Sequence, residues 1–170
     1  CRAIAENPET VYDYTNKWNT VAVISDGTRV LGLGDIGPKA GLPVMEGKSA
    51  IFSELVGISG IPILLQEKDP LRIIETVEAI APSFGAILLE DIKAPECFQI
   101  EAELIQRLDK PVFHDDQHGT AIIASAGFIN ALEITGKSLS QVRVVFSGAG
   151  AAAVATAELF AQLGIPKDQI

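Results

Sequence analysis

Residues 85–93 read GAILLEDIK, and residues 111–119 read PVFHDDQHG. In each, a short apolar run, Ala86–Leu89 or Val112–His114, stands behind a chain breaker and ahead of two acids, Glu90-Asp91 or Asp115-Asp116. A brief run without polar alternation suits a parallel strand covered on both faces. Helices are expected over 95–108 and 120–135, the second stopped by Gly136. Strands alternating with helices predict parallel βαβ units.

The same pattern extends in both directions. Asp69-Pro70 is a cap followed by a first-turn proline, and Ile73, Ile74, Val77 and Ile80 supply that helix's apolar stripe. Ile61–Leu65 reads as a strand. A helix over 43–56 starts near Pro43 and carries Val44, Ile51, Phe52 and Leu55 on one face. Residues 34–42 form a glycine-rich loop, and Arg2–Tyr14 is helical around Asn7-Pro8-Glu9. Asp26-Gly27 divides two β-rich runs, Thr20–Ser25 and Thr28–Leu33, which predicts a hairpin. Downstream, Val142–Phe146 reads as a strand and 151–163 as a helix ending at Gly164. The expected fold class is therefore α/β: a parallel βαβ sheet domain with an N-terminal β-hairpin, then the opening of a second βα block. The polar connection Gly136–Ser140 marks the boundary, with domains over 1–136 and 137–170.

Composition narrows the function classes. The chain has 170 residues, 48% of them hydrophobic and 21% charged, a normal globular balance. A formal net charge of −9 argues against nucleic acid and anionic membranes as partners. It leaves an anionic small molecule open, because a bound metal or a few cations reverse the local field. Two cysteines, Cys1 and Cys97, make no disulfide framework and point to a reducing, cytoplasmic setting. No apolar stretch is long enough to span a bilayer, and no secretory signal is visible. A leading Cys1 without an initiator Met, and a βα unit over 142–164 left incomplete, predict a piece of a longer chain.

Ligands in open α/β sheets bind beyond the carboxyl ends of the strands. Glu90, Asp91, Asp115 and Asp116 gather there, and such a group of carboxylates repels itself unless a cation sits among them. Hard oxygen donors select Mg²⁺ or Mn²⁺. The alternative is that these acids only cap the helices that follow. Lys48 lies four residues after Val44 and four before Phe52, on the apolar face of its helix. There it either faces a pocket and serves as a base or runs its stem out to solvent. Gly148-Ala149-Gly150-Ala151-Ala152-Ala153, between a strand and a helix, is a variant of the dinucleotide fingerprint, or a closely packed turn. Arg29 clamps a carboxylate or is a surface charge. His114 and His118 lack the setting of a zinc pair, Cys97 reads as a core residue, and Tyr12, Tyr14 and Trp18 have no partner that points to chemistry.

Read together, YTNKWN (14–19), VAVISDG (21–27), LGLGDIG (31–37), PVMEGK (43–48), LEDIKAPECF (89–98), FHDDQHGTA (113–121) and the GAGAAA turn (148–153) resemble the malic enzyme family, above all its shorter prokaryotic-type members. The order and spacing hold over nearly the whole chain. The resemblance implies oxidation of L-malate with NAD⁺ or NADP⁺, then decarboxylation of bound oxaloacetate to pyruvate. It implies that Glu90, Asp91 and Asp116 hold Mg²⁺ or Mn²⁺, that Lys48 is the general base and that Asp115 orients the site. Arg29 matches a substrate-carboxylate arginine found in part of the family. Gly148, Ala149, Gly150, Ala151 and Ala152 fall to the NAD(P) cofactor, in the truncated start of a Rossmann-type domain. A homodimer or larger homo-oligomer is the family expectation. The family's acid, a tyrosine in a tyrosine-threonine-proline segment, has no match here, and Trp18 stands where many relatives carry Gly; the piece by itself is expected to be inactive. A metal-dependent oxaloacetate decarboxylase without redox activity and a non-catalytic binding or dimerisation module are the competing readings.

Overall fold

The computed structural model describes all 170 residues, which pack as two units, Cys1–Phe113 and His114–Ile170. That division falls ahead of the long helix which the sequence reading assigns to the first domain.

The first unit opens with α1 (Arg2–Glu6), a 3₁₀ turn at Pro8–Thr10 and α2 (Val11–Tyr14). It continues with β1 (Thr20–Ser25), α3 (Gly37–Val56), β2 (Ser59–Leu64), α4 (Pro70–Ile80), β3 (Ala86–Leu89), α5 (Glu96–Arg107) and β4 (Val112–His114), whose last residue is the first of the second unit. The strands form one sheet in the order β2-β1-β3-β4, with β1 parallel to both β2 and β3. The core lies along β1 and β3. Ala22, Val23, Ile24 and Leu89 are fully buried, and Ile73, Ile74 and Val77 of α4 join them. Each fully buried Ile or Leu contributes on the order of 1.5–3 kcal/mol. Pro62, which cannot donate to a ladder, sits in β2 at the sheet's edge. The Asp69 side chain caps α4 by accepting from the Arg72 N–H at 3.1 Å.

The expected hairpin does not form. β1 has parallel neighbours on both edges, so residues 28–33 find no free edge to pair with. They turn instead, with a single bridge between Val30 and Gly34. The glycine-rich loop is also shorter than expected, because α3 begins at Gly37-Pro38 and takes Pro43 into its interior. Gly41 is a packing residue there and not a breaker. A Cβ on it would already touch Leu64 and Val30 at 3.6 and 3.7 Å. The buried face of α3 runs through Gly41 and Met45, with Phe52 partly buried, while Val44, Ile51 and Leu55 are exposed. Lys48 lies on the inward face all the same. Its neighbour Ser49 presses so closely on β2 that a Cβ on Gly60 would stand 2.9 Å from the Ser49 Cα.

The second unit holds α6 (Asp115–Thr135) and α7 (Ala151–Leu163). Gly136, at φ +67°, ends α6, and the Lys137 N–H donates back to the Leu132 carbonyl at 3.2 Å. Phe128 stacks on Phe160 at 4.5 Å between ring centres, and Phe146 leans on the same ring at 6.2 Å. Val142–Phe146, expected as a strand, has no ladder. Its one regular tie is the Val144 N–H to the Gln169 carbonyl at 2.8 Å, since a strand needs a neighbouring strand to be one. No helix is long and apolar enough to cross a membrane.

Candidate functional site

Strand register builds the first half of the site. Ile24 of β1 lies opposite Leu89 of β3, and the Glu90 N–H still donates to the Ile24 carbonyl at 2.9 Å. Glu90 and Asp91 therefore leave β3 where Ser25 and Asp26 leave β1, at the carboxyl edge of the sheet. Both acids are buried, and carboxylate oxygens of the two lie within 4.8 Å of each other. Asp91 has φ +55°, the one non-glycine residue in the left-handed region. Asp tolerates that region better than most residues, yet the conformation persists only where neighbours enforce it.

From α3, Lys48 brings its Nζ to 3.2 Å from Glu90 Oε2. Lys48, Glu90 and Asp91 thus meet in the first unit: one ammonium group and two adjoining carboxylates, mostly shielded from water. This set suits a hard divalent cation. The donors are oxygens, they are close enough to share one ion, and their mutual repulsion needs a positive charge nearby. Arg29 is exposed, and its backbone N–H donates to the Asp91 carbonyl at 2.9 Å.

Two residues that the sequence reading passed over belong to this edge. The Asp26 Oδ1 accepts from the Thr28 N–H at 2.9 Å and from the Thr28 hydroxyl at 2.6 Å. Thr28 Oγ1 in turn accepts from the Lys93 N–H at 3.0 Å. The signal was present as Asp-Gly-Thr, an acid with a hydroxyl two residues on, but it reads equally well as a simple turn. Gly27, at φ +68°, is required between them, since a Cβ there would collide with the Gly37 carbonyl group.

Burial pushes the Asp26 carboxyl above its usual value, outweighing the Thr28 hydrogen bonds that pull it down. The folded protein then binds a proton at Asp26 more readily than the unfolded chain does. Stability from this group is present below the ordinary carboxylate range and is lost as pH rises through the raised value. Asp26→Asn keeps an oxygen to accept from Thr28 and removes the titration. Relative to wild type, its unfolding free energy should rise between about pH 4 and about pH 7. Urea melts at the two pH values check this, and a constant difference would refute it.

In the second unit, Asp115 and Asp116 occupy the first turn of α6, where the helix dipole favours anions. Buried His114 places its Nε2 3.3 Å from Asp116 Oδ2. The Asp115 carboxylate folds over Gly119, where any Cβ would strike it, so the Asp-x-x-x-Gly spacing has a steric reason. Residues Gly148, Ala149 and Gly150 form the turn into α7, whose first residues are Ala151 and Ala152. Gly148 has φ +113°, and a Cβ on Gly148 or Gly150 would meet nothing within 4 Å, so the backbone at the start of this 13-residue helix stands open. An open helix amino end behind small residues is the form that receives a pyrophosphate.

Comparison with known proteins bears on both units. The model of the malic enzyme N-terminal domain matches residues 1–71, and that of the malic enzyme NAD-binding domain matches 117–167. The chain is 56% identical to the NAD-dependent malic enzyme of Geobacillus stearothermophilus, over 97% of this chain and 34% of that protein. It is 53% identical to the bifunctional malic/malolactic enzyme of Bacillus subtilis over 97% and 40%, and 54% identical to the NADP-dependent malic enzyme of Escherichia coli over 100% and 22%. It thus spans well under half the length of these relatives. Among solved structures, the malic enzyme of Pyrococcus horikoshii superposes with a TM-score of 0.93 at 52% identity, over 97% of this chain and 38% of that one. The NAD-dependent malic enzyme of Thermotoga maritima gives 0.94 at 51%, over 96% and 44%.

Proposed function

This chain belongs to the malic enzyme family, and from that premise we propose that it carries substrate and metal residues for the oxidative decarboxylation of L-malate to pyruvate and CO₂, with reduction of NAD⁺ or NADP⁺. The observation that carries the reading is the 3.2 Å approach of Lys48 Nζ to Glu90 Oε2, beside Asp91 at a sheet's carboxyl edge.

Each residue has a task in this reading. Lys48 accepts the proton of the malate hydroxyl as hydride leaves carbon for the nicotinamide. A lysine suits this when its surroundings limit water and let it exchange a proton near neutral pH. Glu90 orients the amine. Glu90 and Asp91 would hold Mg²⁺ or Mn²⁺, and the family motif assigns Asp116 to the same ion. When bound, such a cation polarises the hydroxyl and the ketone and offsets negative charge as CO₂ departs. Asp115 keeps the start of α6 in order, and Arg29 is assigned a substrate carboxylate, for which a guanidinium fork is suited. The turn at Gly148, Ala149 and Gly150, with Ala151 and Ala152, receives the dinucleotide's phosphates. A chain with only two cysteines fits a reducing, cytoplasmic setting, and assembly as a homodimer belongs to the same reading.

The test uses the full-length protein with L-malate, NAD⁺ or NADP⁺, and Mn²⁺. Reduced dinucleotide and pyruvate should appear in equal amounts, stop on chelation and return with added Mn²⁺. Pyruvate formed from oxaloacetate, with no dinucleotide reduced from malate, would turn the reading toward a simple decarboxylase. Absence of both would leave a binding module.

A further inference from the structure

We propose that Thr28, oriented by Asp26, is a positioning residue that holds Asp91 in its left-handed conformation and so aims the Glu90-Asp91 carboxylates. The inference rests on the reading of that pair as metal ligands.

Hydrogen bonds before, at and after Asp91 bear on its φ of +55°, which must be enforced. Before it, the Glu90 N–H closes the β1–β3 ladder on the Ile24 carbonyl at 2.9 Å. At the residue itself, the Arg29 N–H donates to the Asp91 carbonyl at 2.9 Å. After it, the Lys93 N–H donates to Thr28 Oγ1 at 3.0 Å. The first two are backbone bonds that most residue types would supply. The third is carried by a side chain and depends on Thr28.

A hydroxyl has one proton to give and two lone pairs to offer. Asp26 Oδ1 takes the proton of Thr28 at 2.6 Å and also accepts from the Thr28 N–H at 2.9 Å. That leaves a lone pair facing Lys93 and fixes the direction of the bond. Thr28 and Asp26 are both about 3% exposed, so water is poorly placed to replace either partner. Ile92, between the two clamped amides, is buried at 2%, which stops the segment from relaxing outward. Without the Thr28 hydroxyl, the turn after Asp91 loses its distal anchor, and the left-handed state competes with ordinary conformations.

The experiment compares the full-length wild-type protein with Thr28→Val, Thr28→Ala and Thr28→Ser. Manganese affinity is read by Mn²⁺ titration, and exchange of the Lys93 amide is read in the metal-free protein. Partners that orient metal ligands are typically worth about 10- to 100-fold in affinity. Thr28→Val, nearly the same shape, should weaken Mn²⁺ binding within that range and speed Lys93 exchange; Thr28→Ser should restore both. Thr28→Ala serves in its place if the valine variant does not fold. Wild-type affinity in a folded variant that lacks the hydroxyl, with slow Lys93 exchange, would overturn the positioning role alone. A wild-type protein that binds no Mn²⁺ would overturn the carboxylate site and this role with it.

Discussion

In the full-length enzyme, Lys48→Ala should lower malate turnover by about 10²- to 10⁴-fold, the usual worth of a positioned proton-transfer group, while Mn²⁺ still binds. The second half follows from the sign of the charges. Lys48 Nζ stands 3.2 Å from Glu90 Oε2, so the ammonium and an incoming cation compete for one carboxylate. Removing the ammonium removes a like charge from the cation's surroundings. Mn²⁺ affinity should therefore stay level or rise in Lys48→Ala. Lys48→Arg separates charge from proton transfer, since a guanidinium keeps the charge and does not act as a base near neutral pH. It should be as slow as the alanine variant. Turnover retained in either, or Mn²⁺ binding lost in Lys48→Ala, would sink the assignment. Steady-state rates and a direct metal titration on the same preparations decide it.

How much of this was readable beforehand depended on whether the deciding interaction was local. β3 and β4 appear with the bounds expected, Ala86–Leu89 and Val112–His114, because a short apolar run between a breaker and paired acids has few other uses. Asp69-Pro70 started α4 as expected, since a cap and a first-turn proline act within one turn. Asp26-Gly27 misled because its local chemistry is that of a turn in any fold. What excluded a hairpin was the occupation of both edges of β1 by β2 and β3, strands that begin more than thirty residues away. Gly41 misled in the same manner. It reads as a breaker until α3 is seen to run through it, with Gly41 buried beside Leu64 and Val30. Lys48, Glu90 and Asp91 were visible as candidates, but their grouping required the register that carries β3's end to the edge of β1. Thr28 was invisible as a contributor, since its partner Lys93 lies 65 positions on.

Asp91 allows the electrostatic and conformational parts of the site to be taken apart. Asparagine tolerates the left-handed region about as well as aspartate, so Asp91→Asn should keep φ near +55° and lose only the charge. Mn²⁺ affinity should fall by at least about 100-fold, more than an orienting partner costs, and malate turnover with it. Stability without metal should move the other way or not at all, because Glu90 no longer faces a second carboxylate. Asp91→Ala should lose the metal equally and also destabilise the protein by roughly 1–2 kcal/mol, the cost of a left-handed conformation for a residue with an ordinary Cβ. Asp116→Asn should weaken Mn²⁺ in parallel if the family motif assigns it correctly. A ligand role predicts that affinity and stability separate in Asp91→Asn and fall together in Asp91→Ala. A cap or turn role predicts an unchanged titration in both, with stability lost in Asp91→Ala and kept in Asp91→Asn, because asparagine caps and turns about as well as aspartate. Metal titration and urea unfolding of the two variants distinguish these cases, and an unaltered Mn²⁺ constant in Asp91→Asn would remove the carboxylate pair from the mechanism.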